Sequence, residues 1–267
     1  MPDLAIVLIS NAAAIAAFVF LQWVASMRLA DASIVDRFWG TGFVLVAIVS
    51  LLLSGEPSDR SWLLLALVTI WGLRLSIYLS WRNWDTGEDY RYQAMRKRFG
   101  PGFKWSSLYI VFGFQGFLTW FISLPLQVAI SSNVDAPIGW LDMLGAGIWM
   151  AGFLFESIGD WQLAHFKARP ENKGVVMDRG LWRYTRHPNY FGDTLLWWGM
   201  FLVASGVPGA AYTVASPAAM TFLLMRVSGV PLLERRLRKT RPEYARYIGA
   251  TSAFIPWPPK NPDRGPA

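Results

Sequence analysis

Arg186-His-Pro-Asn-Tyr-Phe-Gly-Asp-Thr-Leu-Leu-Trp-Trp-Gly-Met-Phe-Leu-Val-Ala204 passes within eight residues from a polar cluster into an apolar run. Pro188 suits the first turn of a helix, where its missing N–H removes no hydrogen bond. Asn189, Asp193 and Trp197 follow at four-residue intervals and so share one helix face. Just upstream, Gly180-Leu-Trp-Arg-Tyr-Thr185 adds Arg183 and Tyr184. Arg183, Arg186 and His187 therefore precede a helix N-terminus, whose free N–H groups and dipole attract anions. The stretch predicts a helix entering a membrane, with a place at its mouth for a phosphorylated cofactor.

The same alternation runs along the whole chain. Of 267 residues, 54% are hydrophobic and 16% charged, against about a quarter charged in soluble domains; mean hydropathy is +0.30. Apolar runs cover Leu4–Ser26, Gly40–Ser54, Ser61–Trp81, Ser107–Ser131, Ile138–Trp161, Tyr190–Ser205 and Ala210–Arg226. A span needs about 20 apolar residues, and the second and sixth runs are short. The expected fold is all-α: a single domain, residues 1–267, forming an integral membrane bundle of seven transmembrane helices. Successive junctions hold two, one, six, none, six and none of the basic residues, and the tail from Arg235 to Arg264 holds eight. The positive-inside rule then puts the N-terminus outside and the C-terminus in the cytoplasm. Topology also accounts for most of the net charge of +7, so no nucleic-acid partner is expected.

The chain has no cysteine, which excludes disulfides and thiolate chemistry. His165 and His187 are its two histidines, and no His-Glu-x-x-His pattern occurs, so no metal is expected. Gly145-Ala-Gly147 is not a dinucleotide fingerprint; small residues there suit close helix packing. The segment Pro256-Trp-Pro-Pro-Lys-Asn-Pro262 reads as an extended cytoplasmic end.

Polar residues recur where lipid-facing positions should be apolar. Arg74, Tyr78 and Arg82 lie on one face of the third span, with Arg74 roughly 12 Å inside its cytoplasmic end. Glu156 and Asp160 form an i,i+4 carboxylate pair near the end of the fifth span, followed by Lys167; Arg226 closes the seventh. Ionisable groups at such depth usually face the bundle interior and mark a functional pathway. Taken singly, Arg82 and Lys167 also fit snorkelling to headgroups, and Arg74 fits pairing with Glu156 or Asp160. Together the groups describe a pocket open to the cytosol. The loop Asn83–Tyr92, which holds Arg91, either caps a nucleotide or lies at the interface. Asp36 borders the second span; it is either half of a local pair with Arg37, a helix cap, or a carboxylic acid whose pKa burial raises.

Arg186-His-Pro-Asn-Tyr-Phe-Gly-Asp193 resembles the C-terminal signature of membrane steroid 5α-reductases, sterol reductases and isoprenylcysteine carboxyl methyltransferases. The methyltransferases usually carry a later Glu-Glu pair, whereas Val227-Ser-Gly-Val-Pro-Leu-Leu-Glu234 ends in a single glutamate. With Asn189, Asp193 and Trp197, and with Asp36-Arg-Phe-Trp39, Trp71-Gly-Leu-Arg74 and Thr251-Ser-Ala-Phe-Ile-Pro-Trp257, the chain looks like a bacterial branch of the steroid 5α-reductase family. That resemblance implies NADPH as cofactor and, in the bacterial inner membrane, a 3-oxo-Δ4 steroid or similar lipid enone as substrate. It places Arg74, Tyr78, Asp160, Asn189, Asp193, Trp197 and Arg226 around the cofactor, joined by Arg91, Lys167, Tyr184, Arg186, His187, Tyr190 and Glu234. In the animal enzymes a glutamate–tyrosine pair holds the 3-ketone. Asp36 stands for the glutamate, and Trp71 occupies the tyrosine's position, leaving either Trp71 or Tyr78 as the second donor. Membrane lipids are the other expected partners, with no obligate protein partner. The rival readings are an S-adenosylmethionine-dependent lipid methyltransferase and a non-catalytic lipid-binding bundle; a transporter would place its polar groups near the midplane.

Overall fold

The computed structural model describes residues 3–84, 86–132, 134, 137–227 and 229–260. Asp85 of the loop, Ser228 and the tail from Asn261 lie outside the described residues. The chain is 78% helix with no strand among the described residues. Five helical stretches are long and apolar enough to cross a membrane: Leu4–Leu29, Asp59–Arg82, Tyr90–Ile122, Trp140–Ala168 and Ala210–Thr240. Two expected spans are shorter, Trp39–Leu53 with 15 residues and Pro188–Ala204 with 17. At 1.5 Å per residue these reach roughly 22 and 26 Å, against a hydrocarbon core of about 30 Å.

The chain divides into two compact units. Unit 1, residues 1–143 and 200–216, begins with α1 (Leu4–Leu29), started by the Asp3 side chain accepting from the Ala5 N–H. It continues through α2 (Ile34–Arg37), α3 (Trp39–Leu53), α4 (Asp59–Arg82), α5 (Tyr90–Phe99), α6 (Phe103–Ser107), α7 (Phe114–Ile122) and α8 (Leu124–Ile130). A π-helical stretch, Leu108–Gly113, separates α6 from α7. α4 is capped by Ser58 and carries Asp59 in its first turn and Arg82 in its last, both favourable to its dipole. α3 and α4 touch at bare backbone: a Cβ on Gly40 would lie 2.4 Å from the Gly72 oxygen. The exterior is apolar as well as the core, and a few polar side chains lie inside. Ile9, Leu52, Ile77 and Tyr109 are exposed, whereas Asn11, Gln22, Ser50 and Gln127 are buried, and Asn11 donates to Ser50 at 2.9 Å. This is an integral membrane protein.

Unit 2, residues 144–199 and 217–267, is built on α9 (Trp140–Ala168) and α10 (Pro188–Ala204), followed by α11 (Ala215–Phe222), α12 (Val230–Thr240) and α13 (Tyr244–Ala250). Glycines seven residues apart on each helix, at 145, 152 and 159 and at 192 and 199, line the α9–α10 contact. A Cβ on Gly152 would meet the Gly192 oxygen at 2.5 Å, and one on Gly199 the Gly145 oxygen at 2.6 Å. A seven-residue repeat keeps one seam facing its partner along the contact. The described residues that follow α13 are tied back to the segment before α10. Thr185 and Ser252 form an isolated bridge, the Thr185 hydroxyl donates to the Phe254 carbonyl at 2.8 Å, and the Trp257 N–H donates to the Tyr184 carbonyl at 2.9 Å.

Candidate functional site

The glycine seam fixes what faces what in unit 2. With the helix backbones in contact, Glu156 and Asp160 of α9 lie beside the head of α10. Asn189 Nδ2 donates to Asp160 Oδ1 at 3.2 Å. Glu156, Asp160 and Asp193 are 3, 4 and 8% exposed, so the expected carboxylate pair and the expected Asn–Asp face share one side of this interface. Trp197 is buried one turn beyond. Asn189 Oδ1 and Thr194 Oγ1 are buried and have no hydrogen-bond partner among the described residues. The group is rich in acceptors, suited to the hydroxyl and amide hydrogens of a polar ligand.

Arg186, His187 and Glu234 are also brought together, but they turn on one another. Arg186 Nε donates to Glu234 Oε1 at 2.7 Å, and its Nη1 donates to the carbonyls of Ile248 (3.1 Å) and Thr251. His187 Nε2 lies 3.2 Å from the same carboxylate oxygen, and its ring stacks on Tyr190 at 5.4 Å. Burial lowers the His187 pKa, opposed by Glu234. These donors are thus committed to a buried brace joining the start of α10 to α12 and α13. Lys167, Tyr184 and Arg226, assigned with them from the sequence, are exposed, Arg226 on a π-helical stretch, Leu223–Val227. Two concavities adjoin the brace. One is a mainly apolar cavity of about 100 Å³ bordered by Trp182, Arg186, Tyr244 and Tyr247. The other is an open groove of about 610 Å³ carrying Arg179, Arg183, Arg246 and Lys260 against Asp178 and Glu243.

In unit 1, Asp36 does not pair with Arg37, which goes to Asp31 at 2.6 Å. Its partners arrive from α5: Arg91 Nη2 donates to Asp36 Oδ2 at 2.6 Å, and the Tyr92 hydroxyl donates to Oδ1 at 2.8 Å. Asp89, the α5 N-cap, accepts from Arg91 Nε at 2.8 Å. Burial pushes the Asp36 carboxyl above its usual range, opposed by Arg91 and Tyr92. Trp71 is fully buried, its ring 5.5 Å from Phe43 and 6.4 Å from Trp39. Tyr78 takes Arg74 and Arg82 over its ring at 5.8 and 5.4 Å, which holds the expected α4 ladder together by cation–π attraction. Tyr92 was not singled out by sequence reasoning; a tyrosine in the first turn of a basic helix carries no mark of an aspartate 56 residues earlier.

A family profile described as "Protein of unknown function (DUF1295)" matches residues 22–251. The chain belongs to that family. Uncharacterized protein C594.04c of Schizosaccharomyces pombe is 27% identical over 207 residues, covering 67% of this chain and 59% of the yeast protein. The chain also resembles 3-oxo-5-alpha-steroid 4-dehydrogenase 1 of Homo sapiens, 34% identical over 114 residues (42% of this chain, 41% of the relative). The Macaca fascicularis protein of that name is 35% identical over 71 residues (26% and 27%). The chain spans about three fifths or less of the length of these relatives. No solved structure matches it. The likeness to the steroid 5α-reductases read from the signature is borne out.

Proposed function

We propose that the protein is an NADPH-dependent reductase of a bacterial inner membrane, acting on the conjugated C=C of a 3-oxo-Δ4 steroid or a similar flat lipid enone. The observation that carries this reading is the buried Asp160–Asn189–Asp193 group at the head of α10. The Asn189 oxygen, with no partner among the described residues, and the acceptor-rich carboxylates beside it suit the hydroxyl and amide hydrogens of a nucleotide. Phosphates suit Arg179, Arg183, Arg246 and Lys260 in the open groove, since Arg186 is committed to Glu234. When bound, NADPH supplies a hydride. In unit 1, Asp36 accepts from Arg91 and Tyr92; in its protonated form its carboxyl would donate a hydrogen bond to an enone oxygen, where negative charge develops.

The test is nucleotide extraction from detergent-purified protein, read by mass spectrometry. NADPH or NADP is expected, and Asn189→Ala and Asp193→Ala should lose it while remaining folded. Recovery of S-adenosylmethionine instead would transfer the chain to the methyltransferase reading. Asp36→Asn should keep nucleotide binding and slow single-turnover reduction by about two orders of magnitude, the effect of losing one oxyanion donor. Unchanged turnover would remove Asp36 from the chemistry and leave the reductase assignment standing.

A further inference from the structure

The outer face of unit 1 carries a groove of about 490 Å³ between α1 and the Leu108–Trp120 stretch. Its lining is almost wholly apolar, and Ala12, Ala16, Gly113 and Gly116 supply little side chain to fill it. An indole fastens the two walls beyond each end: Trp23 Nε1 donates to the Lys104 carbonyl at 2.9 Å, and Trp120 Nε1 donates to the Leu8 carbonyl at 3.0 Å. Between Ala12 and Phe20, α1 rises roughly 12 Å, close to the depth of one leaflet, about half of a 30 Å hydrocarbon core. The other wall includes the π-helical stretch Leu108–Gly113, a conformation that recurs at functional sites.

One end of the groove is cationic. Lys104 lies one turn before Leu108 on the same helical stretch, its ammonium 5.7 Å from the centre of the Trp105 ring. The Trp105 ring is 5.4 Å from that of Trp23, which is 5.5 Å from Phe20 of the groove. Aromatic contacts thus run unbroken from Lys104 to the groove. α5, whose last turn holds Lys97 and Arg98, packs on α6, which holds Lys104. All three cations are exposed, and none has a carboxylate partner among the described residues, since Glu88 is taken by Arg96 and both Asp36 and Asp89 by Arg91. Trp105 and Tyr109 are exposed beside them, residue types that settle at headgroup level. No ionisable side chain other than the Tyr109 phenol lines the groove itself. Positive charge at one end and a leaflet-deep apolar channel below it complement an amphiphile with an anionic head.

We propose that this is a binding site for an anionic phospholipid, with its phosphate on Lys97, Arg98 and Lys104 and one acyl chain in the α1–α7 groove. A free phosphate would use the cations and leave the groove unused. A second copy of the chain would cover the groove without needing the cations. The site does not depend on the reductase reading.

The experiment titrates the full-length protein in detergent, at low ionic strength, with phosphatidylglycerol and with phosphatidylcholine of the same acyl chains, and reads bound lipid by native mass spectrometry. Wild type is compared with the triple variant Lys97→Gln/Arg98→Gln/Lys104→Gln and with Ala16→Phe, whose ring would occupy the groove; Ala12→Phe replaces the latter if it does not fold. A cation near an anionic headgroup is worth about fivefold, so wild type should prefer phosphatidylglycerol by about tenfold or more, and the triple variant should lose that preference. Ala16→Phe should weaken both lipids about tenfold and keep the preference. Equal affinity of wild type for the two lipids, a preference that survives the triple variant, or unchanged binding in Ala16→Phe would overturn the proposal. Displacement of phosphatidylglycerol by an equal concentration of glycerol phosphate would reduce the site to one for a bare anion. A wild-type dimer that Ala16→Phe breaks would give the groove to a second copy. Either result would overturn the proposal as well.

Discussion

Two arginine–carboxylate pairs in this protein have nearly the same length and different surroundings. Arg91 meets Asp36 at 2.6 Å with side chains 36 and 22% exposed, whereas Arg186 meets Glu234 at 2.7 Å with 8 and 9% exposed. The first pair is partly open to water, so it is more screened than the second and freer to rearrange around a ligand. The second has no such alternative, and removing one member strands a charge. Distance alone would have given both the same role; burial makes one a brace and leaves the other open to chemistry.

The sharpest way to break this contrast is Glu234→Ala. It should cost about 3–5 kcal/mol, the penalty for uncovering buried Arg186, read as unfolding in detergent; a loss near 1 kcal/mol would abolish the distinction. Gly192→Ala follows, at about 1–3 kcal/mol, because its new Cβ would lie 2.5 Å from the Glu156 nitrogen. Arg91→Ala should change stability by about 1 kcal/mol or less, and a loss as large as that of Glu234→Ala would make it a second brace. The smallest effect is in pH. Since burial holds the folded His187 pKa below its ordinary value, the unfolded chain takes up more protons, and stability should fall as pH drops below about 6.5 and stay level above it. His187→Gln should remove that part of the slope between pH 7.5 and 5; an identical profile in wild type and variant would mean the imidazole does not titrate on unfolding.

Helical class and most apolar elements were legible because burial in lipid demands long uninterrupted runs, which composition shows directly. The α10 face was legible for a local reason: Asn189, Asp193 and Trp197 are spaced by the helix itself. What stayed hidden was pairing across sequence. Glu234 looked like a cofactor ligand because its partners Arg186 and His187 lie 48 and 47 residues away. Asp36 stayed open between a mate for Arg37, a helix cap and a buried acid because Arg91 and Tyr92 lie 55 and 56 residues on. Gln22 did leave a signal, a lone amide within the apolar α1, as did Asn11. The structure satisfies the nitrogen of Asn11 through Ser50, whereas the Gln22 amide has no partner among the described residues. The two short helices, Trp39–Leu53 and Pro188–Ala204, lie within two residues of the runs read from the sequence.

The docked tail bears on how the protein is made. Tyr184, Thr185 and Arg186 bond to the backbone of Trp257, Phe254 and Ser252, so this segment lacks those backbone partners until roughly seventy further residues have left the ribosome. At about 5–20 residues per second, several seconds of synthesis separate the emergence of this segment from its completion. The polar entrance to α10 is therefore among the last parts to assemble. A chain stopped just short of Ser252 would carry every helix of unit 2 and still lack the backbone contacts that hold that entrance in place.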